Sequence, residues 1–223
     1  MRRGENLYNL SIFPKGSLIG PLVIAGIIIE DDRSNSLEKI GVKDSKLLTS
    51  NQRERIEPHI KKIAKNYAYS ILSPEDIDKA VRIGKKLNFL EAKTMADLIS
   101  KLKPDIVYVD AVGQIAERFA FNICRNSKMD IKIIAEHKAD TKYPTVSAAS
   151  ILAKVKRDEI ISELRTRYGN FGSGYPSDQK TKKFIREWIK KFGKAPPFAR
   201  KSWATIRKFE YRELSDFESS NSS

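Results

Sequence analysis

Cysteine is almost missing from this chain. Cys124 is the only one in 223 residues, so no intramolecular disulfide can form, which fits a reducing compartment. Histidine is nearly as scarce, with His59 and His137 alone. No Cys/His set has zinc spacing, and a serine–histidine triad would have to rest on His137. No apolar run approaches the roughly 20 residues of a membrane-spanning helix. Arg2 and Arg3 are not followed by the apolar core of a signal peptide. A soluble, cytoplasmic protein with no membrane association is expected. Aromatic residues make up 9 %, too few to advertise a stacking platform for single strands. Positive charge, by contrast, is plentiful: 42 Lys and Arg against 28 Asp and Glu give a formal charge of +14. Such an excess favours a polyanionic partner, and nucleic acid is the commonest.

The apolar patterning predicts an α/β chain. Residues 7–13 alternate as a half-buried strand does, and the continuous run from Leu22 to Glu30 suits a strand covered on both faces. Asp31 to Ser36 breaks that run, and 40–49 reads as loop. Thr49 or Ser50 can cap a helix reaching about Asn66, and Ser73-Pro74-Glu75-Asp76 opens another. Strands are expected at 67–72, 106–109 and 131–135, and helices at 87–101 and 114–125. Ser147 is a plausible N-cap for a long helix that follows Tyr143-Pro144. Gly169 to Ser177 is a Gly-rich loop, and Asp178 or Thr181 starts a helix to Phe192. The polar tail 215–223 is expected to be disordered.

Two carboxylates stand where chemistry could be done. Asp110 ends one apolar strand and Asp140 follows another. In an open sheet, neighbouring strand ends bring such residues together over the carboxyl edge. There they repel unless a proton or cation neutralises them, and magnesium or manganese prefers such oxygen ligands. Equally, Asp110 could cap the next helix and Asp140 could pair with a nearby lysine.

Seven segments in order carry a resemblance: LIGPLVIAG at 18–26, GVKDSKLLT at 41–49, LNFLEAKTMADLI at 87–99, VYVDAV at 107–112, HKADTKYPTVSAASILAKVKRD at 137–158, GSGYPSDQKT at 172–181 and RKSWATIRKF at 200–209. Together they resemble the type 2 ribonucleases H (ribonuclease HII) in their archaeal form. The resemblance implies a ribonuclease H-like mixed sheet flanked by helices, with a helical C-terminal part. The expected division is a catalytic domain over 1–168, a substrate-binding part over 169–214 and the tail. It further implies endonucleolytic cleavage of the RNA strand of RNA–DNA hybrids and incision at ribonucleotides in duplex DNA, with Mg2+ or Mn2+ and a 5′-phosphate product. A monomer is expected. Of the family's four metal-holding acids, two match, Asp110 and Asp140. Tyr175 matches the tyrosine that packs on the sugar at the RNA–DNA junction, where only RNA offers a 2′-hydroxyl. Lys46, Lys154 and Arg157 fall where phosphate contacts or site-supporting charges are expected. For Lys154 and Arg157 an exposed helix face reads equally well. Ser147 joins them as a candidate substrate contact.

The family's Asp-Glu-Ala-Gly-Arg-Gly motif is replaced here by Ser11-Ile12-Phe13-Pro14-Lys15-Gly16. Neither Ser11 nor Ile12 offers a carboxylate. Pro14 removes a backbone N–H. Lys15 keeps the arginine's charge without its fork, and Gly16 survives. Glu5 and Glu30 lie at the wrong spacing to substitute. The break is abrupt, which predicts that residues 1 to about 14 came from a wrong start, a frame slip or a cloning scar. Two functions follow as alternatives: an impaired endoribonuclease, or a hybrid-binding module without chemistry. A resolvase or transposase on the same fold is disfavoured by the GSGYPSD loop.

Overall fold

The computed structural model describes the backbone of residues 6–13, 16–30, 33–42 and 47–221, and the side chains of 16–30, 33–42 and 47–212. The chain divides into two compact units. One comprises Met1–Phe13, Val23–Ile71 and Lys86–Asp158, and the other Pro14–Leu22, Leu72–Lys85 and Glu159–Ser223.

Strands β1 (Asn6–Phe13), β2 (Leu22–Glu30), β3 (Asn66–Leu72), β4 (Ile106–Asp110) and β5 (Lys132–Glu136) make one sheet in the order β3-β2-β1-β4-β5. The β1–β2 pair is antiparallel, whereas β1–β4 and β4–β5 are parallel. The α/β, mixed-sheet expectation therefore holds. β2 is buried along all but its last residue, as a run of Val and Ile without polar alternation requires. The parallel strands β1, β4 and β5 deliver their carboxyl ends to one edge, where Asp110 and Glu136 pair in register.

Helix α2 (Ser50–Ile63) starts on a complete capping box. Thr49 Oγ1 accepts from Gln52 N–H at 3.3 Å and Gln52 Oε1 accepts from Thr49 N–H at 2.8 Å, satisfying two donors that a helix start otherwise leaves open. Helix α1 (Ser34–Lys39) lies in a stretch expected to be irregular. Its polar sequence hides a single anchor, Leu37, which is fully buried. α4 (Leu87–Leu102) packs on α5 (Ala116–Ser127). Short α6 (Ala139–Lys142) leads into α7 (Pro144–Tyr168).

The second unit holds α3 (Pro74–Arg82), α8 (Gln179–Phe192) and α9 (Ala204–Asn221). Its core gathers Leu18, Ile19, Ile161, Phe171, Ile185, Phe198 and Ile206. Arg200 is wholly buried and donates to the carbonyls of Gly20 at 3.1 Å and Pro21 at 2.9 Å. Buried Asp78 accepts from the N–H groups of Lys201 at 3.0 Å and Ser202 at 2.8 Å. These bonds tie the segments around Gly20–Pro21 and Asp78 to the C-terminal part within this unit. Helix α9 continues to Asn221; extending an existing helix needs no new nucleus. Among the described residues, no helix is long and apolar enough to cross a membrane.

Candidate active site

The site starts from the parallel edge of the sheet. Asp110 is the last residue of β4, and its carboxylate Oδ1 accepts from Ala139 N–H at 3.2 Å. Ala139 immediately precedes Asp140, so a direct bond joins Asp110 to the turn that carries the second acid. Ala111 N–H donates to Glu136 carbonyl at 2.8 Å, which prolongs the β4–β5 ladder one step past the strands. The chain then reverses at Lys138, whose φ of +57° lies in the left-handed region. A non-glycine residue there costs roughly 1 kcal/mol, offset by the bonds that hold the turn.

Glu136 supplies two of those bonds. Its carboxylate accepts from Lys142 Nζ and from Tyr143 Oη, the latter at 2.9 Å. The Tyr143 ring rests against Tyr108 on β4, with centroids 4.7 Å apart. Glu136 therefore straddles α6 and fixes the helical turn that presents Asp140. The lysine's hydrogen bond, and then the tyrosine's, hold the Glu136 carboxyl below its usual range. The same contact raises the Tyr143 phenol, with burial adding to it. Nothing in the residue types flagged Glu136. The available signal was its position as the strand-end partner of Asp110.

Asp140 is 4 % exposed. It lines a cavity of about 230 Å3 with Glu38, Thr141, Lys142 and Ser147. Ser147 is not an N-cap. Helix α7 already begins at Pro144, and Ser147 N–H is bonded to Tyr143 carbonyl at 3.1 Å. Proline suits a first helical turn, where its missing N–H costs nothing, so the helix starts four residues earlier than a Ser147 cap would set it. The buried Ser147 side chain instead lines the Asp140 cavity.

Lys154 and Arg157 are each 5 % exposed. An exposed helix face is therefore ruled out for both. Buried cations need compensation, and Arg157 Nη1 donates to Asp158 at 3.2 Å. Asp158 is shared with Arg53 Nη2 at 3.4 Å, and Arg53 also donates to Leu48 carbonyl at 2.6 Å and Ser50 Oγ at 2.9 Å. Lys154 lies two turns beyond Ser147 on the same face of α7, about 11 Å along the axis.

Gly16 and Tyr175 both belong to the second unit. The segment just after Gly16 is bonded to the tyrosine loop: Leu18 and Ile19 N–H donate to Gly174 carbonyl at 2.7 and 3.2 Å. Gly16 is exposed, and a Cβ there would meet nothing within 4 Å. Lys15 and Lys46, both expected to contact the substrate, lie outside the described residues.

The β1–β4 register runs Leu7↔Ile106 through Leu10↔Val109, so its next step sets position 11 abreast of Asp110. A serine stands there. Glu30 pairs with Asn6 at the opposite end of β1 and reaches Lys65 at 3.3 Å, so it cannot replace the missing acid. Among the described residues no group of three or more His, Cys, Asp and Glu is placed to hold a metal ion. The two aspartates match a hard divalent cation in donor type, but they are only part of a shell.

Comparison with known proteins identifies the family. The pattern of the family Ribonuclease HII matches residues 14–206. A ribonuclease HII of Pyrococcus abyssi is 48 % identical over 200 residues, spanning 88 % of this chain and 87 % of its own. That of Pyrococcus furiosus is 50 % identical over 198 residues, with 88 % and 87 % covered. The crystal structure of the ribonuclease H2 from Pyrococcus horikoshii OT3 superposes with a TM-score of 0.88 at 41 % identity, over 94 % of this chain and 99 % of that one. Family pattern, sequence identity and structural superposition thus converge, and the chain belongs to the ribonuclease HII family of endonucleolytic hydrolases.

Proposed function

We propose that this chain recognises RNA–DNA hybrids and single ribonucleotides in duplex DNA, and that its hydrolysis of the phosphodiester, leaving a 5′-phosphate, is impaired. One observation carries this reading. Asp110 is hydrogen-bonded to the turn of Asp140, and the β1–β4 register, continued one step past Leu10↔Val109, brings a serine rather than an acid abreast of Asp110. Asp110 and Asp140 would hold Mg2+ or Mn2+, whose bound form stabilises negative charge on the oxygens of a phosphodiester under attack. Glu136 keeps the Asp140 turn in place. Ser147 lines the same cavity as Asp140 and would meet a phosphate oxygen there. Buried Lys154 and Arg157 support the site's charge balance rather than gripping the duplex from outside. Lys15, Gly16, Lys46 and Tyr175 contribute to substrate contact, Tyr175 by resting on the ribose. The protein acts as a cytoplasmic monomer.

A second reading has its own support. With Ser11 and Ile12 in the motif, the chain is a binding module for the same duplexes, held by its +14 charge. A fluorogenic hybrid assay in magnesium and in manganese separates the two. Slow, metal-dependent cleavage supports the impaired enzyme. Tight, salt-sensitive binding without cleavage at any metal concentration supports the module. Turnover equal to that of the Pyrococcus relatives would refute impairment.

A further inference from the structure

The loop that carries Tyr175 is held far more firmly than a surface loop of its length requires. Thr181 is wholly buried at the start of α8. Its hydroxyl donates to Phe171 carbonyl at 2.9 Å and accepts from Gly174 N–H at 2.9 Å. Asp178 caps the same helix by accepting from Lys180 N–H at 2.9 Å, and its other oxygen accepts from Ser173 N–H at 2.6 Å. Tyr175 carbonyl accepts from Asp178 N–H at 3.2 Å, and Gly174 carbonyl takes the two N–H groups of Leu18 and Ile19. Tyr175 N–H donates to Ser173 Oγ at 3.4 Å. Every peptide group flanking the tyrosine is therefore engaged. Gly172, at φ +80°, leaves no room for a side chain, because a Cβ there would overlap the Asp178 carboxylate and come within 3.1 Å of Thr181 Oγ1.

We propose that Asp178 and Thr181 are positioning residues that fix the Tyr175 loop in advance and thereby set its preference for a ribonucleotide. The proposal rests on the reading of Tyr175 as the ribose contact. A ring whose backbone is already immobile loses little freedom when it meets a sugar. Freed from its two clamps, the loop would order only on binding, and that cost falls on the ribonucleotide contact.

The test measures affinity of the full chain for two duplexes by fluorescence anisotropy. One is DNA with a single embedded ribonucleotide, and the other is the same duplex in DNA alone. The ratio of affinities is the readout. Tyr175→Ala should abolish the preference. Thr181→Val, which keeps the shape without the hydroxyl, and Asp178→Asn should each lower it by roughly tenfold, with all-DNA affinity little changed. Thr181→Ser should restore it. Amide exchange at Ser173 and Gly174 should quicken in Asp178→Asn even if Thr181→Val folds poorly. A preference lost in Tyr175→Ala yet intact in both clamp variants overturns the positioning role and leaves the tyrosine reading standing. A preference that survives Tyr175→Ala, or is absent from the unaltered chain, overturns both.

Discussion

Placing an acid at position 11 should recover most of what the first strand lacks. The parallel register sets that position beside Asp110, and adjacent strands lie about 4.8 Å apart with laterally paired residues on one face of the pleat. An added carboxylate would then sit roughly 4 Å from a divalent ion held by Asp110 and Asp140. At an effective dielectric near 20 the gross attraction is about 8 kcal/mol, twice the figure for two unit charges. Desolvation removes most of that. If about 2 kcal/mol survives, manganese binds Ser11→Asp roughly 30-fold more tightly than the unaltered chain. Because catalytic groups act as a unit, completing the pair with Ile12→Glu should raise cleavage by about 1000-fold or more. The assays are manganese binding by calorimetry and cleavage of a fluorogenic hybrid. The shape-matched Ser11→Asn/Ile12→Gln should gain nothing. Equal cleavage by the unaltered chain and the Ser11→Asp/Ile12→Glu variant would refute the reasoning.

Three further outcomes follow from the same contacts. Glu136→Gln should weaken manganese binding in the Ser11→Asp/Ile12→Glu background by roughly tenfold with little change in melting temperature, since it loosens the Asp140 turn and not the core; unchanged affinity would remove Glu136 from the site. Asp158→Asn leaves Arg53 and buried Arg157 without their shared carboxylate and should cost about 1–3 kcal/mol in urea unfolding. The Asp178 carboxyl is lowered to about 2, chiefly by the Ser173 backbone N–H. A depressed folded-state value means that its contribution is complete above the ordinary value of 3.8 and is lost as pH falls through about 2. Amide exchange in the 172–178 loop should therefore quicken only below about pH 4, and a transition near neutrality would contradict that bond network.

Much of this is legible in the sequence, for identifiable reasons. Thr49 announces its helix because Gln52 stands three residues on, and the box is purely local. β2 announces itself through uninterrupted Val and Ile. Ser147 misled because a hydroxyl near a helix start resembles a cap, while Pro144 three residues earlier was the stronger marker. Burial of Arg157 was invisible, since its compensation comes from Asp158, which is shared with Arg53 on a helix distant in sequence. That Asp110 would lie close to the turn carrying Asp140 could be anticipated from strand ends alone, but the brace of that turn could not. Glu136, Lys142 and Tyr143 converge only once the left-handed turn at Lys138 is formed. The split into units was likewise hidden, because Arg200 and Asp78 bind segments more than a hundred residues away in sequence.

The most direct test is a double-mutant cycle on manganese affinity, using Asp110→Asn, Asp140→Asn and the pair. If both carboxylates grip a single ion, either substitution alone should remove nearly all the binding, and the second should add little. Independent, additive losses, or full affinity in either single variant, would mean that the two aspartates do not share a cation.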